Sequence, residues 1–166
     1  MRLSRLAAAS LLSLAAASAA AAAEVVPLAA IVTSGLTDGA TMMVSGFGNG
    51  PVADLGSGAF EVTFDKGVIK FLFVETDTCF VNLHGDIPGQ GAVEVRYDLT
   101  KMTGIKVDDR GQFEGLNAAI VTIEGENVVQ VLIQDNWVTQ PGFAFLVGSL
   151  TAADYQAAAD ELQRVC

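Results

Sequence analysis

The chain has 166 residues, 17 of them glycine, and carries 9 basic against 19 acidic side chains for a net charge of −10. That balance argues against a nucleic-acid binder and against a polybasic membrane-surface protein, both of which need clustered Lys and Arg. A hydrophobic fraction of 51% argues against a disordered chain.

Residues 1–23 read as a cleaved secretory signal. Arg2 and Arg5 give the positive start, Leu6 to Leu14 the short apolar stretch, and Ala21-Ala22-Ala23 a small-x-small cleavage site ahead of Glu24. A membrane anchor would need about 20 strongly apolar residues, and this stretch is mostly alanine and serine. Removing 23 of 166 residues leaves 143, enough for one domain, residues 24–166. No later apolar run reaches membrane-span length, so the expected destination is a periplasm or the outside of the cell. The absence of any Asn-x-Ser/Thr acceptor suits a bacterium.

From Ser34 to Gly58 seven glycines make the least regular region, apart from a short apolar run at Thr41–Ser45. Within it, Gly48-Asn49-Gly50-Pro51-Val52-Ala53 matches the dinucleotide pattern G-x-G-x-x-A. No long helix follows, as that motif requires, so these glycines read as a loop. Phe60–Asp65 alternates as a strand with Phe60, Val62 and Phe64 on one face. Val68–Glu75 is apolar on both sides, which predicts a central strand covered on both. Cys79–Leu83 follows, then Val93, Val95 and Tyr97 alternate with Glu94, Arg96 and Asp98. Asp108-Asp109-Arg110-Gly111 reads as a turn between Ile105–Val107 and Gln112–Glu114. Ala118–Glu124 and Val128–Gln134, joined by Gly125-Glu126-Asn127, read as a hairpin. Phe143–Val147 is the last strand, started after Pro141-Gly142.

The chain ends in one helix. Thr151 is its cap, Asp154 sits three residues on, and Tyr155, Ala158, Ala159, Leu162 and Val165 form one apolar stripe. The expected fold is all-β or β-rich: an antiparallel sandwich or flattened barrel of about eight to ten short strands, with the C-terminal helix packed on it. The alternative is an α+β sheet with helices on one face, one of them hidden in the glycine-rich region.

Chemistry is sparse. Cys79 and Cys166 are the only cysteines, and in an exported chain an even pair predicts a disulfide. His84 is the only histidine. As a general base it would need a carboxylate such as Asp86 or Asp77 to orient it, and it cannot build a His-based zinc site alone. No serine lies in G-x-S-x-G and no H-E-x-x-H occurs. Three acid pairs, Glu75/Asp77, Asp108/Asp109 and Glu124/Glu126, leave calcium open without the ligand spacing of a calcium loop. Trp137 suits either a sugar platform or a core position. The reading is therefore an exported, non-catalytic binding or accessory module for a small ligand or an envelope protein, with no cofactor. A small exported hydrolase using His84 with Asp77 or Asp86 is the alternative.

Overall fold

A computed structural model describes residues 25–89 and 91–166. The expected signal sequence, with its expected cleavage site and Glu24, lies outside the described residues.

The first element is a helix that the sequence pattern hides. Residues 25–34 form α1. The helix closes where the Gly35 N–H reaches the Ile31 carbonyl (2.8 Å) and the Leu36 N–H reaches that of Ala30 (3.1 Å). Gly35 takes φ +65°, and a Cβ there would meet the Tyr155 hydroxyl at 3.0 Å, so glycine serves both the turn and the packing. Only Pro27 of α1 is exposed.

Eleven strands follow: β1 (Thr41–Val44), β2 (Gly48–Gly56), β3 (Ala59–Phe64), β4 (Gly67–Asp77), β5 (Phe80–Ile87), β6 (Gly91–Asp98), β7 (Gly104–Phe113), β8 (Leu116–Glu124), β9 (Val129–Ile133), β10 (Asn136–Gln140) and β11 (Phe143–Gly148). A 3₁₀ turn, Leu99–Lys101, lies between β6 and β7, and α2 (Ala152–Val165) ends the chain. The strands form one antiparallel sheet in the order β10-β9-β6-β5-β4-β3-β2-β1-β11-β8-β7, curled into a half-barrel. The β-rich expectation with a C-terminal helix is met. Inside the curl, α1 supplies Val25, Ala29, Ala30 and Val32 to a core shared with Phe60, Ile69, Phe73, Val81 and Val121.

Four local expectations change. First, β8 and β9 do not pair: β8 lies between β11 and β7, and β9 between β6 and β10. The Gly125-Glu126-Asn127 turn is a corner between distant parts of the sheet. Two backbone bonds fix it to the connection from β6 to β7, Thr103 N–H to Glu124 O and Asp98 N–H to Val128 O, both 2.8 Å. Second, Asp108-Asp109-Arg110-Gly111 is a bulge within β7, with register shifting between Asp109 and Gly111. Asp109 Oδ1 accepts from the Gly111 N–H at 2.7 Å, the local bond that resembles a turn. Third, the glycine-rich region contains β1 and β2, and the G-x-G-x-x-A match is strand β2. A Cβ on Gly50 would lie 2.5 Å from the Thr63 carbonyl oxygen. The glycine is there for close backbone approach, not for phosphate. Fourth, β4 is central but covered on one face only: Val68, Leu72 and Val74 remain 37%, 41% and 38% exposed.

The C-terminal helix forms as its sequence predicts. Thr151 accepts from the Asp154 N–H, and the Asp154 carboxylate accepts from the Thr151 N–H at 2.6 Å, a complete capping box. Tyr155, Ala158, Ala159 and Leu162 are buried, and the helix packs against β7. Its end meets the far half of the sheet, where the sulfurs of Cys79 and Cys166 lie 2.13 Å apart with Cα atoms 5.7 Å apart, a disulfide pair. Cys79 itself sits in the β4–β5 turn at φ +60°, just before β5. Among the described residues no helix is long and apolar enough to cross a membrane.

Candidate functional site

The corner between β8 and β9 creates a space. Val121 and Ile123 of β8 face inward, as do Val129 and Val131 of β9, yet the strands belong to opposite parts of the curl. α1 reaches this region only with its last turn, Val32 and Thr33. Valine and isoleucine are too short to fill the gap beyond it, since facing sheets stand about 10 Å apart. What remains is a cavity of about 430 Å³, completed by Val95, by Pro141 and Gly142 of the β10–β11 connection and by Ala144 of β11. That size suits a small organic molecule.

Its polar groups are few. Thr33, Tyr97 and Gln140 contribute side chains, and among the described residues none that lines the cavity is charged. The Thr33 hydroxyl donates to the Ala29 carbonyl at 2.8 Å, which fixes its orientation, and its oxygen also lies 3.3 Å from Ser34 Oγ. Burial pushes the Tyr97 hydroxyl up to about 12, and a hydrogen bond with Thr33 offsets only part of that rise. Tyr97 is thus a neutral phenol at any ordinary pH. The cavity can shelter an apolar molecule and offer it a few hydrogen bonds, but it has no counter-charge for an ion.

His84 lies elsewhere, on the outer face of β5. Its Nδ1 is 3.6 Å from Glu94 Oε1, the residue opposite it on β6, and both side chains are about two-fifths exposed. That spacing exceeds a hydrogen bond. Asp86 stands two residues along the same strand, opposite Lys70 and Ala92. Asp77 ends β4, where its Oδ1 accepts from the Thr78 N–H at 2.8 Å. Among the described residues neither aspartate pairs with His84; Glu94 is the carboxylate the fold brings to it. The sequence hid this partner because cross-strand register, not spacing along the chain, makes the neighbours.

The acid pairs separate by role. Glu75 Oε1 accepts from the Cys79 N–H at 2.9 Å and supports the turn that carries the disulfide. Asp108 pairs with Arg110 at 2.8 Å across the β7 bulge. Among the described residues, no three His, Cys, Asp or Glu side chains gather as a metal-binding group. Trp137 is neither in the core nor an open platform: on β10 it is half-buried, with the Arg96 guanidinium 3.7 Å from its ring centroid.

No family model, no curated protein and no solved structure matches the chain.

Proposed function

We propose that the protein is an exported, non-catalytic binding module that holds a small, neutral, apolar ligand between β8–β11 and β6–β9. The observation that carries this reading is the cavity of about 430 Å³, walled mostly by valine, isoleucine and other apolar residues and, among the described residues, by no charged side chain. An ionised ligand would lose its hydration there and gain no partner. A neutral one gains apolar burial, worth about 25 cal/mol per Å² of covered surface before ordering costs. Export is supported by the composition of residues 1–23 and by the Cys79–Cys166 pair, a bond that persists in oxidising compartments. The hydrolase alternative has less support: His84 and Glu94 stand on an open sheet face, and a general base works in a cleft beside its substrate.

The test uses the protein recovered from outside the cytoplasm of a Gram-negative host, where its N-terminus should be Glu24. Titration with pyrene, a neutral fluorophore whose emission reports apolar surroundings, should saturate at one molecule per chain. Ala144→Phe fills the cavity from β11 and should weaken binding about tenfold or more, a loss of roughly 1.4 kcal/mol or above, while the melting temperature changes little. An anionic pyrene carboxylate should bind more weakly than pyrene. Absence of saturable binding, or equal binding by the filled variant, removes the proposal.

A further inference from the structure

Acidic residues outnumber basic ones by 19 to 9, so an arginine without a carboxylate partner is unexpected here. Arg110 pairs with Asp108, and Arg164 pairs with Glu161. Arg96, among the described residues, pairs with none. Its register neighbours are Asn82 on β5 and Gln130 on β9, both neutral amides on the outer face of the sheet. Glu94, two residues back on the same strand, faces His84 instead. The Arg96 guanidinium carbon instead lies over the Trp137 ring, 3.7 Å from its centroid. Stacking of that kind holds an arginine in place and leaves the N–H groups at its edge free for a planar acceptor.

The place where Arg96 projects is concave. A groove of about 520 Å³ is lined by Asn82, Arg96, Asn127 and Gln130, and Phe80, Asp98 and Lys101 also belong to its wall. Phe80 is 38% exposed, an apolar flank in an otherwise polar wall. Lys101 is already held by Asp98 at 2.6 Å. Burial raises the Asp98 carboxyl, but hydrogen bonds from Lys101 and Thr100 and the Lys101 charge outweigh it, so the carboxyl stays below its ordinary range and the pair stays ionised. The two cancel, and the net charge facing the groove is the single positive charge of Arg96.

One fixed guanidinium, three side-chain amides and an apolar flank match one chemistry. A carboxylate pairs with the guanidinium edge in two parallel hydrogen bonds. Amides both donate and accept, as hydroxyl groups require. We propose that this groove binds an acidic sugar, a uronate, with its carboxylate on Arg96 and its hydroxyls on Asn82, Asn127 and Gln130. The groove shares only Tyr97 with the apolar cavity, and neither reading depends on the other.

Trp137 is the only tryptophan in the chain, so its fluorescence reports on Arg96 directly. Titration of the full protein with sodium glucuronate should give a saturable change in emission in the millimolar range. Glucose lacks the carboxylate and acetate lacks the hydroxyls, and each should bind about tenfold more weakly or worse. Arg96→Gln should lose about tenfold or more in glucuronate affinity, and Arg96→Lys should not restore it, because an ammonium cannot form the paired bonds. Asn82→Ala should weaken glucuronate and leave acetate unchanged. Because emission in the Arg96 variants also depends on the lost stacking, calorimetric titration supplies their affinities. Equal binding of acetate and glucuronate would overturn the sugar assignment, and an unchanged affinity in Arg96→Gln would overturn the site.

Discussion

Gly50 faces the backbone of β3, and a Cβ there would come within 2.5 Å of the Thr63 carbonyl and 2.8 Å of the Phe64 ring. The carbonyl cannot swing aside without breaking the β2–β3 ladder. Gly50→Ala should therefore cost about 1–3 kcal/mol, the range for overpacking a core, read as a lower denaturation midpoint at unchanged slope. An unaffected midpoint would mean that β2 relaxes away from β3. This role was not legible beforehand. Glycines weaken any strand signal, and what Gly50 approaches is set by residues thirteen positions later. Cys79 and Cys166 show the opposite case: with only two cysteines, their pairing needed no knowledge of the fold. Arg96 and Trp137 lie forty-one positions apart and meet only because β9 stands between β6 and β10.

At the level of elements, α2 was fully legible because each of its signals is local. Thr151 and Asp154 form the box, and the apolar stripe follows at helical spacing. Thr151→Ala should cost about 1 kcal/mol, measured by equilibrium denaturation. The box also predicts a pH dependence. Hydrogen bonds from the Thr151 backbone and hydroxyl hold the Asp154 carboxyl below its ordinary value, so the folded state binds this proton less readily than the unfolded chain. Its contribution is complete above the unfolded value of about 3.9 and disappears as pH falls through the lower folded value. The stability gap between the natural chain and Asp154→Ala should be constant near neutrality and shrink below about pH 4; a gap that persists at pH 2 would count against the box. By contrast, α1 left no trace in the pattern. A helix buried on nearly every side has no polar face, so its periodicity vanishes, and residues 25–34 continue an alanine-rich stretch. The β8–β9 turn shows a third outcome. Gly125 and Asn127 were readable as a change of direction, but whether the two strands then pair depends on β6 and β11, which local chemistry does not encode.

At the scale of the whole molecule, one covalent link joins parts the sheet holds far apart. α2 packs on β7, at one end of the strand order, while Cys79 belongs to the β4–β5 turn near its middle. The bond closes a loop with a sequence separation of 87, for which chain entropy gives about 4–5 kcal/mol as an upper figure. Reduction and Cys79→Ser should lower the melting temperature by similar amounts and should not add. Two free thiols in oxidatively folded protein would sink that expectation. The β-rich class with a terminal helix was legible from composition and alternation; the joining of the first and last strands in one sheet was not, because it rests on a long-range pairing, β1 with β11. That pairing also imposes an order in time. The first strand cannot be completed until the last has left the ribosome, and the chain emerges at about 5–20 residues per second. For several seconds β1 has only β2 beside it, and the bed of α1 lacks one wall. Pairing over such sequence distances is slow, in the range of about milliseconds to seconds. The nascent chain therefore stays unfinished throughout its synthesis: the hairpins from β2 to β6 can form early, but the sheet closes only when the last strand arrives.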